Sequence, residues 1–298
     1  MYDIIVIGAG PAGLTAALYG CRAEKKVLVI EKNSFGGQIT HSPRVENYPG
    51  FAEMTGMEFA DKLVEQVLAQ GAEMEFDCVE KIEGELGNYK VICTDSEFTG
   101  KTVIIATGSH HRMLGLENEE KFTGDGISYC AVCDGAFYRD RTVAVIGGGN
   151  TALQEAVMLS NICSSVTIVQ NLDFLTGEQK LIDEINSKDN ITTILSATVA
   201  EILGDDEFKG IVIDVNGDKQ TLNVDGVFVA IGQQPENEPF ENVAPLNDYG
   251  YIVSDESCTI ANQTGIFVAG DCRTKTVRQI TTATADGAVA ALAACKLI

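Results

Sequence analysis

Tyr2-Asp3-Ile4-Ile5-Val6-Ile7-Gly8-Ala9-Gly10-Pro11-Ala12-Gly13 decides how this chain must fold. An apolar run that reads as a buried strand passes without a gap into Gly-x-Gly-x-x-Gly. Gly8 permits a tight turn, Gly10 a close backbone approach to a diphosphate, and Gly13 close packing of helix on strand. The pattern predicts a helix from Leu14 to about Ala23, then a second strand, Val27-Leu28-Val29-Ile30, ending at Glu31. Glu31 follows Gly8 by 23 positions and can accept hydrogen bonds from a ribose diol. Strand, glycines, helix, strand and acid in that order make a dinucleotide site.

The middle of the chain repeats the unit. A strand, Thr142-Val143-Ala144-Val145-Ile146, runs into Gly147-Gly148-Gly149-Asn150-Thr151-Ala152; a helix over about Thr151 to Leu159 and a strand Val166-Thr167-Ile168-Val169 follow. Gln170 follows Gly147 by the same 23 positions, so the ribose-reading place is neutral. The run Asn171-Leu172-Asp173-Phe174-Leu175-Thr176-Gly177 holds no arginine or lysine. NADH calls for an acid here and NADPH for a nearby cation. Unless Asp173 turns back to serve, the fold is retained while its usual ligand chemistry is erased.

Just before the second unit stands Cys130-Ala131-Val132-Cys133-Asp134-Gly135. Two thiols this close can open and close a small disulfide ring, and Asp134 can carry the proton each thiol gains or loses. A zinc half-site would need a second pair or two histidines at ligand spacing. Cys21, Cys78, Cys93, Cys163, Cys258, Cys272 and Cys295 form no such pair, and His41, His110 and His111 lie upstream, so no metal is expected. Two unrelated buried cysteines would give the same spacing. The placement beside a nucleotide-type unit favours redox chemistry.

At 298 residues there is room for two domains, and 45% hydrophobic with 21% charged residues is the balance of a globular protein. No apolar run approaches membrane-spanning length, and the first residues read as a strand, so the expectation is a cytoplasmic chain with reduced cysteines and a transient, catalytic disulfide. A net charge of −22 argues against nucleic acid and anionic membranes as partners. An acidic protein partner would need a local basic surface. Candidates are Arg22/Lys25/Lys26, Arg112, Arg139/Arg141 and Arg273/Lys275/Arg278.

Two further strands end at small-residue turns: Val103-Ile104-Ile105-Ala106-Thr107-Gly108, and Gly265-Ile266-Phe267-Val268-Ala269-Gly270-Asp271. Gly226-Val227-Phe228-Val229-Ala230-Ile231-Gly232 echoes the first, and an alanine-rich helix over about Ala283 to Ala294 closes the chain. Residues 1–115 and 245–298 are expected to form one discontinuous domain, with 116–244 inserted as a second. Asp205-Asp206-Glu207 and Asn216-Gly217-Asp218 read as hairpin turns.

With these residues in hand, the chain resembles the low-molecular-weight thioredoxin reductases along almost its whole length. The resemblance implies an α/β fold of two Rossmann-like nucleotide-binding domains of the three-layer ββα type, the second inserted into the first. It also implies a homodimer. FAD would lie on Gly8, Gly10, Pro11, Ala12, Gly13, Glu31 and Lys32. Its cradle would continue through Gly37 and Gln38, Asn47, and the turn Ala106-Thr107-Gly108. Gly270, Asp271, Arg278, Gln279 and Ile280 would complete it, with Asp271 at the ribityl–phosphate region and Asn47 and Gln279 near the isoalloxazine. Cys133 would face the flavin, Cys130 would attack the thioredoxin disulfide, and Asp134 would be the acid/base.

One departure bears on the electron donor. NADPH-dependent members of the family carry His-Arg-Arg-Asp-x-Phe-Arg where this chain has Gln170-Asn171-Leu172-Asp173-Phe174-Leu175-Thr176. In this the chain is similar to the ferredoxin-dependent flavin thioredoxin reductases, which implies reduced ferredoxin as donor and thioredoxin as acceptor. Alternatives are an NAD(P)H-dependent reductase with atypical nucleotide binding and an oxygen-dependent dithiol oxidase. A catalytically idle flavin-binding sensor or scaffold is a third, disfavoured by the intact Cys130, Cys133 and Asp134.

Overall fold

A computed structural model of the chain describes residues 1–42, 44–260 and 263–298. They form two compact units, one of Met1–His110 with Gln234–Ile298 and one of His111–Gln233.

In the first unit, five parallel strands lie in the order Glu73–Phe76, Val27–Glu31, Tyr2–Ile7, Glu97–Ile105 and Ile266–Val268. The long strand Glu97–Ile105 changes partner along its length. Its end, Val103 to Ile105, pairs in parallel with Ile266–Val268, while its start pairs antiparallel with Asn88–Cys93, which pairs in turn with Val79–Glu85. The opening strand is apolar on both sides because both its faces are covered. Ile4 and Val6 pack with Leu14, Val67 and Ala290 from the helices Pro11–Arg22, Gly56–Ala69 and Ile280–Cys295. Ile5 and Ile7 pack with Ile82, Tyr89 and Val91 of the antiparallel layer.

Local chemistry sets the helix ends. Pro11 occupies the first turn, where its missing N–H costs nothing. Thr55 and Glu58 form a reciprocal capping box at the start of Gly56–Ala69. The last helix begins at Ile280, three residues before the expected Ala283, because Gln279 and Thr282 cap it. A Cβ on Gly287 would stand 2.1 Å from the Ala12 carbonyl oxygen, so the first and last helices meet backbone to backbone.

The second unit repeats this plan. Its parallel strands run Ile191–Ile194, Ser165–Val169, Thr142–Ile146, Gly226–Val229 and Ile127–Ser128. Val143, Val145 and Ile168 pack with Leu153, Ala156 and Leu159 of the helix Asn150–Ser160. Ala144, Ile146 and Val169 pack with Ile202, Ile211 and Ile213 of an antiparallel sheet, Ala197–Leu203, Gly210–Val215 and Asp218–Leu222. The last two strands join through Asn216 and Gly217, whose positive φ angles of 54° and 97° suit a two-residue hairpin. Both units are thus helix–sheet–sheet layers of the Rossmann-like α/β class expected from the sequence.

The units divide at 110/111 and 233/234 rather than at the expected 115/116 and 244/245. Residues 234–244 belong to the first unit because Asn237, fully buried, donates to the Gly250 and Cys272 carbonyls, and Phe240, Val243 and Ala244 enter the first core. Residues 111–115 belong to the second unit. The Arg112 N–H donates to the Gly232 carbonyl, and Glu119 accepts from the Leu114 and Gly115 amides. Among the described residues, no helix is long and apolar enough to cross a membrane, and no group of three or more His, Cys, Asp or Glu could hold a metal ion.

Candidate active site: a dinucleotide cradle and a dithiol loop

The glycine loop of the first unit is tight for internal reasons at two of its positions and open at the third. Gly8 has φ +102°, and a Cβ there would stand 2.4 Å from the Ala106 carbonyl oxygen. A Cβ on Gly13 would meet the Gly8 carbonyl oxygen at 1.9 Å. At Gly10 a Cβ would meet nothing within 4 Å, although Gly10 caps the helix with no side-chain hydrogen bond. An uncapped helix N-terminus under open space suits a diphosphate. Pro11 and Ala12 form its first turn.

Glu31, at the end of its strand, accepts from the Ala9 N–H with Oε2 at 2.8 Å and from the Asn33 N–H with Oε1 at 2.9 Å. Lys32 is ion-paired with Glu236. A Cβ on Gly37 would come within 2.9 Å of the Gly10 Cα, so the turn carrying Gly37 and Gln38 closes on the glycine loop. The Ala106 N–H donates to the Ile7 carbonyl, the Thr107 hydroxyl donates to Asn237 Oδ1 at 3.1 Å, and Gly108 takes φ +72° facing open space. Asn47 Nδ2 donates to Gln279 Oε1 at 3.1 Å, just before Ile280 opens the last helix.

Asp271 follows Gly270, where a Cβ would meet the Ala12 methyl at 2.8 Å. Its Oδ1 is buried with no hydrogen-bond partner among the described residues, and burial pushes the carboxyl up to about 6. A buried acceptor left unmatched costs about 1–3 kcal/mol, and a ligand hydroxyl would relieve that. The open space at Gly10, the uncapped helix and Asp271 together fit a flavin dinucleotide.

Sequence reasoning missed what holds Asp271 in place. Asp286, on the last helix, accepts from Arg273 Nε at 2.9 Å and Nη2 at 3.0 Å, Lys275 Nζ at 2.8 Å and the Gly270 N–H at 3.0 Å. Arg273 also donates to the Asp255 and Thr274 carbonyls. Arg273 and Lys275 were candidates for a docking surface, but their side chains are 1% and 4% exposed, so they are struck from it. Arg278 stacks on Tyr251, with its guanidinium carbon 4.3 Å from the ring centre. Lys25 donates to the Ile298 carbonyl and Lys26 pairs with Glu73, while Arg22, Arg112, Arg139 and Arg141 are exposed.

In the second unit Cys130 and Cys133 are joined as a disulfide, with Cα atoms 5.3 Å apart. Cys130 caps the short helix Ala131–Asp134, and its sulfur accepts the Cys133 N–H at 3.2 Å. Ser128 Oγ accepts the Cys130 N–H at 3.1 Å and donates to Asp134 Oδ2 at 2.6 Å. Asp134 Oδ1 is buried without a partner among the described residues, and burial raises this carboxyl above its ordinary value against the pull of Ser128. A carboxyl raised by burial beside a disulfide keeps its proton to higher pH than an exposed one, which suits it to proton transfer with a neighbouring thiol. A second carboxyl, Glu155, accepts the Ala131 N–H at 3.3 Å. It lies 24 positions downstream on a helix face and gave no motif in the sequence.

The second glycine loop keeps the turn and changes the rest. A Cβ on Gly147 would stand 2.5 Å from the Ala230 carbonyl oxygen, close to the 2.4 Å of the Gly8 turn. Gln170, 5% exposed, folds over Gly148, and its Nε2 donates to the Phe174 carbonyl at 3.2 Å. The Thr176 and Gly177 amides donate to the Gly148 carbonyl, and Asn150 Oδ1 accepts the Glu178 N–H at 2.7 Å. The segment after Gln170 is therefore tied down on the glycine loop, and it presents acids and neutral groups rather than cations.

The family profile of the pyridine nucleotide-disulphide oxidoreductases matches residues 2–287, and the chain belongs to that family. Within it the chain is thioredoxin reductase-like, of the low-molecular-weight type. It is 42% identical over 303 aligned positions to a thioredoxin reductase of Listeria monocytogenes, covering 100% of this chain and 94% of that one. It is 41% identical over 299 positions to a 34.2 kDa protein in a rubredoxin operon of Clostridium pasteurianum, covering 99% and 97%. The crystal structure of thioredoxin reductase from Streptococcus pyogenes matches with a TM-score of 0.95 and 38% identity, covering 100% and 98%. The family binds FAD, and the chain is a flavoprotein oxidoreductase.

Proposed function

We propose that the chain reduces thioredoxin through Cys130 and Cys133, with electrons that reach FAD from reduced ferredoxin and not from a nicotinamide nucleotide. The donor reading is carried by Gln170, buried and turned onto its own downstream segment where a nucleotide-binding repeat would present a ribose or phosphate partner. The acceptor reading is supported by relatives named as thioredoxin reductases and by the paired cysteines beside a carboxyl that burial raises above its ordinary value.

The chain's own residues have these roles. Gly8, Gly10 and Gly13 shape the diphosphate seat, Glu31 serves the ribose side, and Asp271 takes a hydroxyl of the cofactor chain. FAD, when bound, passes electrons between the donor and the Cys130–Cys133 disulfide. In the reduced pair the Cys130 thiolate attacks one sulfur of the thioredoxin disulfide, breaking that S–S bond and forming a mixed disulfide. The departing thioredoxin thiolate takes a proton from Asp134. Cys133 then attacks the Cys130 sulfur, releases the second thioredoxin thiol and restores the intramolecular disulfide. Two electrons leave the dithiol and two enter thioredoxin. Of the surface cations read from the sequence, Arg22, Arg112, Arg139 and Arg141 remain as donor-docking candidates.

The test is anaerobic spectroscopy at the flavin band, with NADPH, NADH and reduced ferredoxin in separate cuvettes. Bleaching by ferredoxin alone is expected. Rapid bleaching by either nucleotide overturns the donor reading and makes Asp173 part of an atypical nicotinamide site. Oxygen consumption with small dithiols, in the absence of thioredoxin reduction, replaces the acceptor reading with a dithiol oxidase.

A further inference from the structure

Glu155 belongs to the helix Asn150–Ser160, yet its Oε1 accepts the N–H of Ala131, the residue directly after Cys130. Its Oε2 is buried with no hydrogen-bond partner among the described residues. We propose that Glu155 is a positioning residue of the dithiol centre: docked on the Ala131 amide, it orients the turn that carries Cys130 and sets the charge that the Cys130 sulfur meets. The inference rests on the reading of Cys130 as the attacking thiol.

Cys130 sits at the N-cap of its short helix, where amides such as the Cys133 N–H stabilise a thiolate. The Ala131 amide is the next in that row, and Glu155 occupies it. A neutral Glu155 leaves these amides unopposed, and an ionised one puts a negative charge on the amide of the residue after Cys130, which disfavours the thiolate. Burial pushes the Glu155 carboxyl up to about 7, against the pull of the Ala131 N–H. The change of charge therefore falls in the working range of a cytoplasmic dithiol.

The titratable groups on the elements packed against this helix are few. The redox turn contributes Cys130, Cys133 and Asp134, and the following turn Tyr138. Helix Gln179–Asn186 contributes Lys180, Asp183 and Glu184. Strands Thr142–Ile146 and Ser165–Val169 contribute none, and Glu155 is the only acid or base on its own helix. Burial raises the Glu155 carboxyl, and the Ala131 N–H opposes the rise.

The experiment follows alkylation of the chemically reduced holoenzyme by iodoacetamide across pH, with the labelled cysteine identified by peptide mass mapping. It uses no thioredoxin and no electron donor. In the wild type the labelling rate of Cys130 should show an inflection near 7 besides that of the thiol. In Glu155→Gln, which keeps an acceptor for the Ala131 N–H, that inflection should vanish. At about pH 8 the thiolate fraction should rise about twofold, the effect of roughly half a unit on a thiol near its ordinary value of about 8.5. Asp134→Asn should retain the inflection. A Glu155→Gln profile that overlays the wild type overturns the role of Glu155 alone. Labelling of Cys133 in place of Cys130 overturns the attacking-thiol reading and the proposal with it. Should the variant fail to fold, infrared titration of the wild type and of Asp134→Asn decides the matter. A protonated-carboxyl band lost through about pH 7, separate from that of Asp271 near 6 and coincident with the inflection in Cys130 labelling in both, supports the proposal; a band absent or not coincident with that inflection in both sinks it.

Discussion

The amide carbon of Gln170 lies 2.5 Å from the place a Cβ on Gly148 would take, so the side chain at the end of one strand covers the loop at the end of its neighbour. The matching pair in the first unit is Glu31 and Ala9, where the carboxylate accepts the loop N–H at 2.8 Å. One repeat turns an acceptor onto its glycine loop. The other turns an amide that donates to its own downstream carbonyl, at Phe174.

Gly148→Ala should therefore destabilise the second unit. Gln170 is 5% exposed and cannot swing into solvent without losing its burial. Overpacking of this kind costs about 1–3 kcal/mol, visible as a fall of several degrees in the melting temperature. Gly148→Ala combined with Gln170→Ala should recover most of it; a single variant as stable as the wild type would sink the account.

Gly10→Ala and Gly13→Ala should part company. A methyl at 10 meets no protein atom, so folding should change by less than about 0.5 kcal/mol while flavin affinity falls at least tenfold, measured by fluorescence of released FAD. A methyl at 13 collides with the Gly8 carbonyl oxygen, so the first unit should fail to fold. Retention of flavin by Gly10→Ala would remove the diphosphate from that seat.

Asp286→Ala should be the most damaging single change in the first unit away from the glycine loop. It leaves Arg273, fully buried, and Lys275 without their shared carboxylate. Breaking a buried pair in this way costs about 3–5 kcal/mol. Burial alone would raise the Asp286 carboxyl, but hydrogen bonds and charge from Arg273 and Lys275 outweigh it and hold it below the usual range. Its stabilisation is present above the ordinary carboxylate pKa and is lost as pH falls through the lowered folded value. Acid unfolding monitored by flavin release should shift to higher pH in Asp286→Asn.

Asp134→Asn should slow thioredoxin reduction by about a hundredfold, the usual worth of a positioned proton donor. Since burial raises the Asp134 carboxyl, the acid form persists above the ordinary range, and the wild-type rate should fall as pH rises through the raised value. The variant should lose that limb. Cys133→Ser should trap a mixed disulfide between Cys130 and thioredoxin, seen by mass spectrometry, whereas Cys130→Ser should trap none.

Much of the site is legible along the chain because its requirements are local. Gly8 and Gly147 stand where the turn forces positive φ, and Glu31 and Gln170 stand one strand later. Cys130 and Cys133 are three positions apart, a spacing that a tight turn can close into a disulfide. Glu155 could not be read in this way. It is one polar residue on an amphipathic helix until the Ala131 amide is brought to it. The domain limits slipped for a similar reason: Asn237 and Phe240 look like linker residues, and they pack within the first unit because Gly250, Cys272 and the antiparallel layer receive them.

The sequence by itself determined the two strand–glycine–helix units, the close cysteine pair with its neighbouring acid, and the neutral residue at the end of the second unit's second strand. These depend on backbone conformations that few residue types adopt, and on reactive groups at short spacing. Only the tertiary structure decided which charges are buried and what they do. Arg273 and Lys275 read as surface cations and are in fact locked onto Asp286, while Asp134, Glu155 and Asp271 carry raised carboxyls. Desolvation depends on which distant segments close over a side chain, and that is settled when the layers pack.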